Sequence, residues 1–450
     1  MELLDSTGLV EKAMNSATPP DRTNRVLAYD AMDYVLIASI MGLMGAFFWA
    51  IRGTSGFGGE TGGMLAGLGW ALLWLGFSHF GGDGAFRPYG SGRMFAAITL
   101  GIAFGGMTGY GVYISWLNGV YQMNGNEITR EIAPCTGYVM LFFCGIHWGG
   151  VTGSFMAWAA PKKPVSWTTW GGRIAAGISG AVLGTLLVKW LPGLFLPFYG
   201  EGYYQVEEYA TSARTMRTSY TIAQHVGLFA GFLAFELARR DWRAVQVMLT
   251  MALGFALPFA IGGYWQTCHG SALRIDWWKN WEMTIGLGGG LSFGLAFFLF
   301  NRPKLAAPRP VTRLERIFGV GLPLWFALSS VILGAYEGFI RVRGLEASLQ
   351  STRGIAFWIY QGIAVIVFLF WILRTITITE QRRIDPKFPP LPLPFIGGLL
   401  TLIVIAGYVT SIPSEIRLAN QVLLVLYTIY IASSLILFGV LWKRQQSGHR

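Results

Sequence analysis

The chain has 450 residues, 53% hydrophobic and only 13% charged, with 60 glycines and a net charge of +11. Soluble domains carry about 25% charged residues, so this composition, spread over many long apolar runs, excludes an ordinary soluble domain and describes a polytopic membrane protein. The positive charge would suggest nucleic-acid binding in a soluble chain, but here the cations cluster in particular loops, so no nucleic-acid partner is expected and orientation in the bilayer is the better account.

Three cysteines exclude a disulfide framework or a thiolate zinc cluster. Residues 1–32 are polar and mixed in charge, read as a cytoplasmic segment with no cleavable signal peptide visible. Beyond them, runs long enough to span are predicted at 33–51, 60–80, 92–117, 137–160, 171–191, 222–238, 244–265 and 281–300. Four more follow at 317–339, 354–373, 394–412 and 420–442. The expected fold is all-α and polytopic, with about twelve transmembrane helices.

Loop charge then sets orientation. Lys162, Lys163 and Arg173 follow the fourth span, and Arg239, Arg240 and Arg243 follow the sixth. Arg302, Lys304, Arg309, Arg313 and Arg316 follow the eighth; Arg374, Arg382, Arg383 and Lys387 follow the tenth; Lys443 and Arg444 follow the last. All are loops after even-numbered spans, so both termini are expected in the cytoplasm of a cell inner membrane. The opposite loops, 119–136, 192–221 and 266–280, are rich in Tyr, Trp and acidic residues. They hold Cys135 and Cys268, either a periplasmic disulfide or two free thiols.

Composition shifts at residues 302–316, a basic cytoplasmic linker. Residues 33–301 form a glycine-rich eight-helix unit that carries the ionisable groups, and residues 317–450 a Leu/Ile/Val-rich four-helix accessory unit. The first eight spans look like four helix pairs, which suggests duplication.

Four ionisable residues stand beside small-xxx-small steps, the spacing that lets membrane helices approach closely. They are Glu60 before Gly63-x-x-x-Gly67, His147 before Gly149-x-x-x-Gly153, His225 before Gly227-x-x-x-Gly231, and Glu282 before Gly286-x-x-x-Gly290. Measured back from the cytoplasmic ends at ~1.5 Å per residue, the histidines lie roughly 21–22 Å up and the glutamates roughly 8 Å nearer the outside. An ionisable side chain at such depth marks a pathway or site by default. Carboxylates leading to imidazoles can pass protons, or hold a cation, so the metal question stays open. No single helix offers a His-x-x-x-His or Glu-x-x-His pair, and no cofactor motif is identified. The structural alternative is that each histidine bonds a neighbouring helix and each glutamate caps its own. The glutamates share a face with their glycines, whereas the histidines sit two residues before theirs and point elsewhere, so convergence of the four is not required.

Arg52 precedes the glycine-rich turn 53–59. It pairs with Glu60, or joins the backbone amides to cradle an anion, or is a plain interfacial arginine. In the outer loops Glu201, Tyr203, Arg274, Asp276 and Trp277 mix aromatics with charge, suited to solutes with polar and apolar faces or to an aromatic belt at the headgroups. Lys189, Glu236, Glu337 and Gln361 are read as snorkelling or packing residues.

Gly53-Thr-Ser55-Gly56, with the helices of His147 and His225, resembles the Gly-x-Ser-Gly and His-x-x-Gly pieces of rhomboid proteases. The resemblance covers only these residues and implies a serine hydrolase. One span precedes Ser55, and the early rhomboid helices and loop have no counterpart. The preferred reading is a transporter of a small polar or charged solute, proton- or cation-coupled, through a cavity open to the periplasm. The alternatives are a membrane-embedded enzyme acting on a lipid or glycan, and a non-catalytic subunit of a larger membrane complex or homo-oligomer. The bilayer and a small solute are the expected partners.

Overall fold

The computed structural model describes residues 29–53, 59–79, 92–107, 109–123, 128–161, 165–204, 210–273, 275–301, 317–342, 393–411 and 418–447, with scattered positions between 355 and 370. Among them, ten helices are long and apolar enough to cross a membrane, or eleven if one bent pair counts as a single span. The chain is a multi-pass helical membrane protein.

The helices run in order as α1 Ala31–Ile51, α2 Gly59–His79, α3 Gly92–Gly105, α4 Ile114–Leu117, α5 Pro134–Ala159, α6 Trp167–Trp190 and α7 Pro192–Phe195. They continue as α8 Ala210–Ala238, α9 Trp242–Gly262, α10 Trp277–Asn301, α11 Leu322–Val342, α12 Leu393–Ser411 and α13 Leu418–Ser447. Three boundaries differ from the sequence expectation. The third span is broken, with α3 and the segment Tyr110–Leu117 inclined by 47°; Gly105, Gly106, Gly109 and Gly111 crowd the break, and glycine is weak in helix interiors. Helix α8 starts twelve residues before the predicted 222, absorbing much of an outer loop. Helix α10 starts at Trp277, so Trp277–Trp281 are its first turn rather than a loop. The tenth predicted span, with Gln361, lies mostly outside the described residues.

One departure from all-α is a hairpin between α4 and α5, β1 Val120–Met123 with β2 Ile128–Glu131, antiparallel with Tyr121 opposite Arg130. A second departure is at the charges. Arg173, read as a loop cation, is buried inside α6 and donates to Glu236 at 2.6 Å. Glu236 is fully buried and also accepts from Arg239 at 3.0 Å and the Trp158 indole at 3.1 Å. A carboxylate at this depth needs several donors, and this arrangement supplies three, so Glu236 is an ion-pair centre rather than a snorkelling residue.

The glycine steps become the helix contacts. Gly286, Gly290 and Gly294 of α10 run along Gly45, Met41 and Ala38 of α1. Gly145, Gly149 and Gly153 of α5 meet Ala256, Met251 and Met248 of α9, while Gly180 and Gly184 of α6 meet Gly227 and Ala223 of α8. Gly63 and Gly67 of α2 meet Ala103 and Thr99 of α3. The intimate partners are thus first with eighth span, fourth with seventh, second with third and fifth with sixth; only the last is one of the four sequential pairs read from the sequence. The space beside the glycines is filled by flat rings: a Cβ on Gly286 would lie 2.6 Å from the Cβ of Trp49, and one on Gly45 2.9 Å from the indole of Trp70. Hence Trp49, Trp70, Trp74, Trp116, Trp148 and Trp281 are core residues rather than headgroup anchors.

Asp30 caps α1 by accepting from the Asp33 amide at 2.9 Å, and Asp33 returns the bond to the Asp30 amide at 3.1 Å. Arg444, near the end of α13, bonds Asp33 at 3.0 Å and Asp30 at 2.6 Å. The start of the first helix and the end of the last therefore lie on one side. Cys135, Cys144 and Cys268 are all free, Cys135 exposed and Cys144 buried.

Candidate functional site

Helix α10 lays its glycine stripe on α1. Glu282 stands one turn before Gly286 on that same face, because residues four apart are neighbours on a helix. At that level α1 ends, and Arg52 is its C-cap, with its amide bonded to Phe48 O at 3.2 Å. The two side chains therefore meet across 230 positions of sequence. Arg52 Nη2 lies 3.6 Å from Glu282 Oε1, with the side chains 4% and 1% exposed. Lys279, one turn earlier on α10, donates to Glu282 Oε2 at 2.6 Å and to the Ala50 carbonyl at 2.7 Å. Ala50 holds one of the last carbonyls of α1, which have no partner within their helix and attract a cation. Tyr110, just past the break in the third span, donates to Glu282 Oε1 at 3.4 Å and accepts from Arg52.

Aromatic rings enclose this group. The Arg52 guanidinium carbon lies 4.4 Å from the Trp49 centroid, 5.1 Å from Trp148 and 5.3 Å from Tyr110. Such stacking suits guanidinium, which is weakly hydrated and planar. Trp278 stacks on Tyr110 at 6.2 Å and 18°. Gly53 brings the backbone against Glu282: a Cβ there would lie 3.0 Å from the Glu282 carboxyl carbon. Among the described residues Arg52 Nε, Trp49 Nε1 and Trp148 Nε1 are buried without an acceptor.

The histidines form a second group. A residue two places before a helix-contact glycine lies about 200° round the helix from it, so with Gly149 against α9 and Gly227 against α6, His147 and His225 turn toward each other. Their rings stack with centroids 4.3 Å apart at 20°. Phe104 lies 4.8 Å from His225, and His147 Nε2 shares a hydrogen bond with the Gly105 carbonyl at 3.1 Å. Both Nδ1 atoms are buried without a partner among the described residues. The groups adjoin through Trp148, the residue after His147 and one wall of the Arg52 site.

Glu60 does not join either group. It is exposed in the first turn of α2, and no ion pair from it occurs among the described residues. Arg52 faces Glu282 instead. The outer-loop candidates divide. Glu201 pairs with Arg130 of the hairpin, Tyr203 OH lies 3.3 Å from Arg130 Nη2, and Glu201 raises the Arg130 guanidinium pKa by hydrogen bond and charge. Tyr204 donates to Pro197 O at 2.8 Å, and burial, with Tyr121 beside it, pushes its phenol well above the usual tyrosine range. Asp276 caps α10 through the Lys279 amide at 3.0 Å, and Trp277 stacks on Trp265 at 5.8 Å and 11°. Arg274 and Ser55 lie outside the described residues.

The sequence places Lys279 only in the aromatic outer-loop stretch 277–281, apart from Glu282, and does not point to Tyr110. The signal for Lys279 was its spacing of three before Glu282, hidden by starting the span at 281. The signal for Tyr110 was the glycine cluster that breaks its span. No group of three or more metal-ligating side chains occurs among the described residues. Separately, an apolar cleft of about 640 Å³ lies between α5, α6 and α8, lined by residues such as Phe143, Leu183, Leu187 and Val226. None of the candidate residues lines it.

The chain matches no family model, no curated protein and no solved structure.

Proposed function

We propose that this protein is a membrane transporter of a small charged solute, bound at the Arg52–Lys279–Glu282–Tyr110 cluster. The observation that carries the reading is a buried set of three charged side chains at the junction of glycine-packed helices, beside a broken span. Ionisable groups are costly at such depth and are kept where they serve a pathway, and broken helices beside a site are a recurring feature of transporters. The stacked His147–His225 pair, one residue from the Trp148 wall, is the candidate coupling element, since its two buried ring nitrogens without partners among the described residues can take up and pass on a proton.

The reading includes about twelve spans with both termini in the cytoplasm of an inner membrane. Its support is the cation-rich loops after even-numbered spans and the Arg444 contacts to Asp30 and Asp33, which bring the start of α1 and the end of α13 to one side. The enzymatic alternative draws less support, because the Glu282 carboxylate is engaged by two cations and is not poised as an acid or nucleophile.

The test is reconstitution into liposomes and measurement of solute-driven currents on a supported membrane, across anionic, cationic and zwitterionic solutes. A current for one class, abolished in Glu282→Gln and Lys279→Met, is expected. No current from any class, or variants equal to wild type, rejects the reading. His225→Ala is expected to keep binding while losing the response to an imposed proton gradient.

A further inference from the structure

The nature of the solute follows from the charge of the site, an inference that rests on the transport reading yet is tested apart from it. We propose that the Arg52–Lys279–Glu282 cluster binds a small monovalent anion. Two cations face one carboxylate, Lys279 at 2.6 Å and Arg52 at 3.6 Å, which leaves one positive charge in excess. The cations are nearly inaccessible, Arg52 4% and Lys279 8% exposed. A buried charge without a counter-charge is costly, so the source of the missing negative charge is a physical question with few answers.

Among the described residues the chain does not supply it locally. The turn that follows Arg52, Gly53-Thr-Ser-Gly-Phe-Gly-Gly59, holds no acid, and Glu60 is exposed. Asp276 is partly exposed and commits one oxygen to capping α10. Tyr110 is a neutral phenol. Three unsatisfied groups at the Arg52 guanidinium and the rings stacked on it are of one kind: Arg52 Nε, Trp49 Nε1 and Trp148 Nε1 are N–H donors without acceptors among the described residues. Indole and guanidinium nitrogens donate and never accept. The complementary guest is therefore rich in acceptors and carries one negative charge.

Its size and hydration follow from the walls. Trp49, Trp148, Tyr110, Trp281 and Phe259 surround the charges. They leave little room for a hydration shell, which suits a small guest such as a halide, nitrate or small carboxylate held by the cations and N–H donors. A dianion would leave a net negative charge in the same space. Glu282 then has a defined part: as the resident counter-charge it competes for both cations, so that the anion binds without being trapped.

The test uses the purified full chain in detergent without added lipid, following tryptophan fluorescence, since indoles wall the site. Sodium chloride, nitrate, acetate and sulfate are titrated at constant ionic strength against gluconate. A saturable change with at least one small monoanion and none with sulfate is expected. Lys279→Met, which brings the cluster to zero charge, weakens that affinity at least ten-fold; Arg52→Gln serves if Lys279→Met does not fold. Glu282→Gln, which brings it to +2, tightens binding and admits sulfate, an outcome a purely structural role would not give. Equal responses to every salt including gluconate, a response that follows the cation at fixed anion, or weaker anion binding in Glu282→Gln overturns the proposal. A response that appears only in nanodiscs containing an anionic lipid also overturns it and assigns the cations to a headgroup. Anion binding without any current in liposomes removes the transport reading and leaves the anion site standing; currents from a cationic or neutral solute without anion binding do the reverse.

Discussion

Glu282→Ala removes the one carboxylate between Arg52 and Lys279 and leaves both cations buried. At an effective dielectric of about 20, each attraction at separations of 2.6 and 3.6 Å is on the order of 5 kcal/mol before desolvation is subtracted. Breaking a buried pair by removing one partner costs about 3–5 kcal/mol, because an uncompensated charge stays behind. The expected loss is therefore about 3–5 kcal/mol in chemical denaturation of the detergent-solubilised protein. Lys279→Met alone leaves Glu282 with Arg52 and Tyr110 and costs less. In the double variant Lys279→Met/Glu282→Ala only Arg52 remains unpaired, so the two effects are non-additive by about 1.5–3 kcal/mol. A loss below about 1 kcal/mol for Glu282→Ala, or additivity within about 0.5 kcal/mol, would refute the ion cluster as described. If the anion proposal holds, chloride or acetate restores part of the stability of Glu282→Gln by mass action.

Other expectations follow from the packing and the charges. Gly290→Leu forces a side chain into α1, where even a Cβ would lie 2.7 Å from the Gly42 Cα; a loss of about 2–3 kcal/mol or failure to fold is expected, and a wild-type unfolding curve would contradict the α1–α10 contact. Glu236→Gln strips the charge partner from buried Arg173 and should destabilise by about 3 kcal/mol, whereas Arg130→Ala at the exposed hairpin should change stability by less than about 1 kcal/mol; comparing the two denaturation curves checks the contrast. In sealed vesicles an impermeant thiol reagent should label Cys135 and leave buried Cys144 unmodified, while labelling of Cys135 only after permeabilisation would invert the assigned orientation.

Much of this architecture could be read from residue spacing, because glycine at four-residue steps has one dominant meaning in an apolar helix. The steps at Gly63, Gly149, Gly227 and Gly286 are each a helix contact. The position of Glu282 on the contact face of α10 followed from the same periodicity, and the two-residue offset of His147 and His225 showed that they turn away from their glycines. Spacing within a helix carries no information about which helix lies opposite. For that reason the sequence points Arg52 at the near acid Glu60, although its partner is Glu282, and does not match the two imidazoles to each other. Hydropathy also mislabels charges that are buried in pairs: Arg173 looked like a loop cation because its partner Glu236 lies on another helix. The interface preference of indole is likewise an average, since glycine-rich contacts create flat spaces that Trp49 and Trp70 fill.

The proposed solute site at Arg52, Lys279 and Glu282 adjoins Trp278, the ring stacked on Tyr110, so a bound solute should shield that position. A variant with Cys135, Cys144 and Cys268 replaced and a single Trp278→Cys change, sealed right-side-out, tests this directly with an impermeant thiol reagent. The account predicts labelling from outside that slows several-fold when the bound solute is added and is unaffected by gluconate. Labelling only after permeabilisation, or labelling indifferent to every solute, would contradict it.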